Sequence, residues 1–306
     1  MKPRVLAVVG PTACGKTEVS LALSYHLPVE IVCMDSMQVY RGMDIGTAKP
    51  TLEEQGLVPH HMLDVVEPWE PYSVAAYRAA AAGCIDDIVR RGKVPVLVGG
   101  TGMYLRALSL PMDYGNTQGD DATRQKYENF AKEKGNDALH LLLQSKDPET
   151  AQRLHPNDVR RVVRALEVLD LTGEPLSKQK MPSYEDGPFQ VLPFAPLMER
   201  ETLYNRVNQR VHRMLDMGLE DEVQGLLKKG VPETAQSMQG IGYKELLPLL
   251  KGQATREDTI QALSQRTRNY AKRQMTWFRS DQRIVWLQNN RPGEMAAAIS
   301  HYFLEG

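Results

Sequence analysis

The segment Gly10-Pro-Thr-Ala-Cys-Gly-Lys-Thr17 constrains this chain more than any other, because it directly follows the apolar run Val5–Val9. It fits the pattern G-x-x-x-x-G-K-[ST] in the strand-then-helix setting that the pattern requires. Val19, Leu21, Leu23 and Leu27 give the next stretch a helical apolar pattern, which Pro28 stops. Glycines let backbone N–H groups close around an anion, and a helix N-terminus adds a favourable dipole. Lys16 supplies a mobile positive charge, and the Thr17 hydroxyl can ligate Mg²⁺. The loop therefore reads as a site for linked phosphates.

The remaining composition narrows the class. With 42% hydrophobic and 25% charged residues in 306, the chain has the makeup of a globular protein with a substantial core. No apolar run approaches membrane-spanning length. Cys14, Cys33 and Cys84 stand at no metal-ligand spacing and read as free thiols of a reducing compartment, which predicts the cytoplasm. A formal charge of −1 argues against indiscriminate nucleic-acid binding. Yet Arg153, Arg160, Arg161 and Arg164 cluster, and Arg266, Arg268, Lys272, Arg273, Arg279 and Arg283 form a denser run. Local basic stripes on a near-neutral chain suit a selective contact with a polyanion.

The expected fold is α/β, a P-loop parallel-sheet core with an inserted all-helical subdomain. Val29–Met34 and Val94–Val98 read as strands buried on both faces, and Val191–Leu197 and Ile284–Leu287 as later ones. Ser73 is placed to cap a helix running to about Arg91, closed by Gly92. Strand signals vanish in the middle of the chain, where helical stretches occur around Thr123–Lys134, Pro148–Leu154 and Asp158–Leu171. Residues 1–112 and 190–306 are accordingly assigned to the catalytic core, and 113–189 to the insertion. Helices are expected near Arg200–Met217, Leu219–Lys228, Tyr243–Leu250 and Arg256–Phe278, the last with Thr255 and Asp258 as a capping box.

Ligands of open α/β sheets lie beyond the carboxyl ends of strands. Asp35 ends the second strand, so it lies near the phosphate loop provided the first two strands are neighbours. It can serve as an acidic Mg²⁺ partner, as a general base for an amine or hydroxyl, or merely as a turn residue. Thr101, inside Gly99-Gly-Thr-Gly102, can donate to a developing oxyanion or cap the next helix, and the cap is the reading its position favours. Residue types and spacing lead as far as a phosphate-dependent transferase with a polyanionic partner.

Longer stretches carry a family resemblance. Gly10–Thr17, the run Asp35–Pro50, His60-His-Met-Leu-Asp64, Gly99-Gly-Thr-Gly-Met-Tyr104 and Leu154-His-Pro-Asn-Asp158 closely resemble the tRNA dimethylallyltransferases. Arg160–Glu167, Gln239-Gly-Ile-Gly-Tyr243 and Tyr270–Phe278 extend the likeness over essentially the whole chain. That family moves a dimethylallyl group from its diphosphate to the exocyclic N6 amine of the tRNA adenosine just 3′ of the anticodon (tRNA position 37). The resemblance implies that Gly10, Thr12, Ala13, Cys14, Gly15, Lys16 and Thr17 hold a diphosphate leaving group, with Mg²⁺ as cofactor on Thr17.

It further implies catalytic roles for Asp35 as general base and for Thr101 and Arg210 at the reacting end; Arg206 and Arg213 share the helix of Arg210. The tRNA-binding positions it implies are Asp35, Ser36, Met37, Gln38, Thr101, Arg124, Arg160, Arg161, Arg164, Gln239 and Lys244. The partners so implied are a tRNA anticodon stem-loop, gripped by the insertion, and dimethylallyl diphosphate. Monomer is the default, and no membrane is involved. Cys14 stands where the family often has serine, and no Cys/His cluster resembles the zinc finger of the eukaryotic relatives, which matches the bacterial form. For Tyr270, Trp277 and Phe278, helical spacing favours core packing over base stacking. The competing readings are a P-loop kinase or adenylate isopentenyltransferase acting on a small nucleotide, and a non-catalytic RNA-binding scaffold.

Overall fold

Continuous apolar runs in this chain become strands covered on both faces. In the computed structural model, which describes residues 2–111, 120–179, 182–288 and 291–305, they form one parallel sheet. The strands are β1 (Arg4–Val9), β2 (Val29–Cys33), β3 (His60–His61), β4 (Val94–Gly99), β5 (Gln190–Leu197) and β6 (Val285–Gln288), in the order β3-β2-β4-β1-β5-β6. Leu6 sits opposite Val96 on one side and Leu192 on the other, which sets the register at the centre. Every residue of β2 is buried, as a strand flanked by helices requires. Its one charged residue, Glu30, is held by the Arg91 guanidinium and by His61 Nε2 at 2.8 Å, on the two-residue edge strand that the apolar pattern did not announce.

The order corrects one expectation. β4 lies between β1 and β2, so the strands leading to the phosphate loop and to Asp35 are not neighbours. What joins their carboxyl ends is the turn after β4. The helix following the loop also stops earlier than expected, at Ala22, and passes into the 3₁₀ turn Leu23–Tyr25.

Local signals placed several of the other helices. Ser73 caps the helix Val74–Arg90 by accepting from Ala76 N, and Thr255 with Asp258 forms the capping box of Arg256–Arg279. The helix Pro292–Glu305 is one that the sequence pattern did not announce.

By its contacts the chain divides into two units, Met1–Leu110 with Gly187–Gly306, and Pro111–Asp186. The first contains the sheet and a core that includes Val5–Val9, Ile31, Val96, Tyr77 and Ile85. The second is helical among its described residues: Asp121–Lys134, Asn136–Lys146, Pro148–Arg153 and Val159–Thr172. Its own core is formed by Tyr127, Leu139, Leu143, Val162 and Leu166, among others. Asn136–Lys146 was missed because Gly135 reads as a simple break. The expected junction at residues 112–113 lies outside the described residues.

Candidate active site

The turn Gly99–Gly102 is built around close approaches that leave no room for side chains. A Cβ on Gly99 would lie 2.0 Å from the Met34 carbonyl oxygen, at the end of β2. On Gly100 it would lie 2.1 Å from Nε2 of Gln274. The turn thus touches the end of β2 on one side and the helix Arg256–Arg279 on the other. Thr101 occupies the N-cap position of Gly102–Ser109, but its hydroxyl makes no cap bond. Instead Thr101 Oγ1 accepts from the backbone N–H of Ser36 at 3.1 Å. The cap reading is therefore overturned: the hydroxyl ties the turn after β4 to the segment that carries Asp35.

Asp35 is half-buried, and its Oδ1 accepts from Met37 N at 2.8 Å. The bond to Met37 is that of a turn residue, and it leaves Oδ2 for a ligand. Gln38 Nε2 donates to the carbonyls of Thr47 and Ala48 at 3.2 and 3.1 Å. Carbonyls only accept, so the amide orientation is fixed and the Gln38 side-chain oxygen is left over. The surrounding loop is anchored twice. Lys49 Nζ reaches the Tyr40 carbonyl at 2.9 Å and the carboxylates of Asp44 and Asp64 at 2.5 and 2.6 Å. The Glu222 carboxylate accepts from the N–H groups of Asp44, Ile45 and Gly46 and from the Tyr243 hydroxyl. Burial, reinforced by Glu222, raises the pKa of that phenol, which keeps it a donor.

Asp35, Gln38, Tyr243 and Gln274 face one cavity of about 340 Å³, whose lining comes entirely from the sheet-bearing unit; Thr101, Lys49 and Glu222 stand behind that lining. Thr12, Lys16 and Thr17 of the phosphate loop line it together with Asp35 and Arg210. Ser36, Met37, Gln38 and Gln239 line it too, whereas Lys244 is exposed outside it. Apolar walls come from Val98, Val207, Val211, Met214 and Leu263.

The helix Arg200–Asp216 separates Arg206, Arg210 and Arg213 by burial. Arg206 and Arg213 are exposed, while Arg210 is half-buried and donates to Thr12 Oγ1 at 3.1 Å. Burial lowers the Arg210 pKa and the Asp35 and Glu18 carboxylates oppose it; a guanidinium stays charged through such a shift.

Within the loop, Lys16 Nζ donates to the Pro11 carbonyl at 2.7 Å. Gly10, Ala13, Cys14 and Gly15 shape the loop without lining the cavity. Cys14 turns its thiol into a small apolar cluster with Met198, Leu203 and Ala271, and burial raises its pKa. Sequence reasoning missed Gln274, Glu222 and Lys49 as parts of this site. For the aromatics core packing holds for Phe278 and for Trp277, which packs against the core, but Tyr270 lines the cavity.

The helical unit places Arg124, Arg160, Arg161 and Arg164 differently from one another. The Glu167 carboxylate, fully buried, binds Arg124 at 3.1 Å and Arg164 at 2.7 Å. Arg161 pairs with Asp158 at 3.1 Å on the surface, and Arg160 is exposed.

A phosphate loop, a strand-end carboxylate and an arginine around one cavity on a parallel sheet define a P-loop α/β group-transfer protein. The family model described as IPP transferase matches residues 38–281, and one described as isopentenyl transferase matches residues 3–59. The chain belongs to the tRNA dimethylallyltransferase family, whose members are transferases. It is 47% identical over 287 residues to the tRNA dimethylallyltransferase of Pelotomaculum thermopropionicum, covering 94% of this chain and 91% of that one. To the Geobacter metallireducens protein of the same name it is 47% identical over 300 residues, covering 98% and 96%.

Among solved structures, the tRNA isopentenylpyrophosphate transferase from Bacillus halodurans superposes with a TM-score of 0.74 at 41% identity, covering 99% of this chain and 96% of that one. A eukaryotic dimethylallyltransferase acting on tRNA gives 0.81 at 31% identity, covering 99% of this chain and 79% of that one.

Proposed function

We propose that this chain transfers a dimethylallyl group from dimethylallyl diphosphate to the exocyclic N6 amine of the tRNA adenosine just 3′ of the anticodon, releasing diphosphate. The observation that carries this reading is the cavity shared by an anion-binding loop, Arg210 and the Asp35 carboxylate. The adenine N6–carbon bond forms as the allylic carbon–oxygen bond breaks, and the bonding electron pair leaves with the diphosphate. The N6 proton passes to Asp35 Oδ2. An exocyclic amine is a weak nucleophile, so positioning and desolvation carry much of the acceleration. A stacked base cannot reach such a cavity, and the adenosine enters flipped from its stack.

Lys16 and Arg210 face the charge that grows on the leaving diphosphate. The donor set also fits Mg²⁺. Thr17 offers one neutral oxygen on the cavity wall, and this ion characteristically takes few protein ligands alongside substrate phosphates. When bound there it would neutralise phosphate charge.

Val207, Val211, Met214 and Leu263 suit the dimethylallyl chain. Ser36, Met37, Gln38, Thr101, Gln239 and Lys244 would contact the anticodon loop. Arg124, Arg160, Arg161 and Arg164 would add salt-dependent contacts to the stem. Among the described residues no helix is long and apolar enough to cross a membrane. The reading is of a monomer working on tRNA in the cytoplasm.

The test is a product assay with the protein, Mg²⁺, dimethylallyl diphosphate and an unmodified tRNA, followed by digestion and mass spectrometry of the nucleosides. Adenosine heavier by one dimethylallyl group is expected. Prenylated AMP with unmodified tRNA would move the chain to the small-nucleotide reading.

A further inference from the structure

Gln274 connects the two halves of the cavity. It lies on the helix Arg256–Arg279, far in sequence from everything it touches, and is 6% exposed. Its Oε1 accepts from Thr12 N at 2.9 Å, and its Nε2 donates to the Gly100 carbonyl at 2.9 Å. A neutral amide can accept from a backbone N–H and donate to a backbone carbonyl at once, through two separate atoms. Those two groups belong to the loops that end β1 and β4, whose strands are adjacent. From each, a side-chain bond leads on to a reacting group. Thr12 Oγ1 receives the Arg210 guanidinium at 3.1 Å. Next to Gly100, Thr101 Oγ1 receives the N–H of Ser36, the neighbour of Asp35.

We propose that Gln274 is a positioning residue that sets the separation between the diphosphate-holding loop and the Asp35 segment that Thr101 ties to the turn after β4, an inference that rests on the prenyl-transfer reading. Three features support this role. The Gln274 amide is buried with both polar ends satisfied, and Gly100 is stripped of a side chain where Gln274 approaches. The Thr12 N–H is also taken by Gln274, so this loop amide points at the helix and not at an anion. In-line displacement demands a narrow range of distances between the attacking amine and the allylic carbon, and misplacement by about 1 Å can cost 100-fold in rate. Each half can bind its own ligand without the other. Only the joint reaction needs the spacing.

The experiment is Gln274→Met, which keeps the length of the side chain and removes both hydrogen bonds. Three quantities are read: the single-turnover rate with saturating dimethylallyl diphosphate and tRNA, the Kd of inorganic pyrophosphate, and the Kd of tRNA. The expected result is a rate lower by roughly tenfold to 100-fold with both Kd values within about threefold of the parent. An unchanged rate overturns the proposal. So does a rate loss matched by equal losses in both affinities and in melting temperature, which a purely structural side chain would give. Should Gln274→Met fail to fold, Gln274→Glu keeps the acceptor for Thr12 N and removes the donor to Gly100. It is expected to lose rate while retaining pyrophosphate affinity, and parental rate in that variant overturns the proposal. Failure of the parent protein to prenylate tRNA would instead overturn the underlying reading, and this inference with it.

Discussion

The Thr101 hydroxyl accepts a hydrogen bond from the Ser36 N–H at 3.1 Å, joining the turn after β4 to the segment that begins with Asp35. β4 separates β1 from β2, and this bond and the Gln274 amide, beside the backbone bond from Thr101 N to the Met34 carbonyl at 3.2 Å, join the three strand ends. Thr101 also sits where its hydroxyl hydrogen remains free to donate, because the bond to Ser36 uses it as an acceptor. Thr101→Val is expected to lower the transfer rate about tenfold by leaving the Ser36 N–H unpaired, and Thr101→Ser to restore most of it. Single-turnover kinetics of the two variants check this; equal rates for Val and Ser would show that the hydroxyl plays no part.

Asp35→Asn keeps Oδ1 for the Met37 N–H and removes only the basic carboxylate. The transfer rate should fall about 100-fold or more, with tRNA affinity nearly unchanged. Rapid-quench product formation beside filter binding measures both, and a large affinity loss at a normal rate contradicts the base assignment.

At the anionic end, Lys16→Ala is expected to cost about 100-fold to 1000-fold in transfer rate and to weaken inorganic pyrophosphate binding. Arg210→Ala should do the same, whereas Arg213→Ala, exposed on the same helix, should leave both near parental values. A pyrophosphate titration by calorimetry separates the three.

The arginines of the helical unit should divide by their partners. Neutralising Arg160 and Arg161 is expected to make the dependence of log K for tRNA on log salt shallower, by about 1 for each phosphate that an arginine no longer neutralises. Arg124→Ala leaves Glu167 buried with one cation fewer and should also destabilise the unit by about 1–3 kcal/mol. Salt titrations and thermal melts distinguish the two outcomes.

Glu30 gives the fold an acid-sensitive point. The Arg91 hydrogen bonds hold its carboxyl below the ordinary glutamate range, burial opposes them, and His61 adds to the lowering. A depressed carboxyl contributes stability that is present above its unfolded value and lost as pH falls through its folded one. Glu30→Gln should therefore cost about 1–3 kcal/mol at neutral pH and little once pH has fallen below the depressed folded pKa of Glu30, as urea titrations over pH would read. A constant difference at all pH values would deny the linkage.

Much of this molecule was legible in the sequence. Gly10–Thr17 after an apolar run announces a phosphate loop because strand, turn and helix signals are all local. β1, β2, β4 and β5 declare themselves by continuous apolar stretches, and Ser73, Thr255 and Asp258 mark helix starts through bonds spanning a few residues. Asp35 was legible as a strand-end carboxylate, although its proximity to the loop was argued through a strand adjacency that does not exist.

The sequence by itself determined the phosphate loop, the strand-ending Asp35, the helical middle and the family, since each is written in contiguous residues. Only the tertiary structure decided that Arg210, and not Arg206 or Arg213, turns inward on its helix, that Thr101 bonds Ser36 in place of capping, and that Glu167 claims Arg124 and Arg164. It alone brought Gln274 to Thr12 and Gly100, partners 262 and 174 residues away. Periodicity reports which face of a helix is buried, because that depends on near neighbours. Which distant backbone group a buried amide meets depends on how the strands are ordered, and strand order leaves no trace in local spacing.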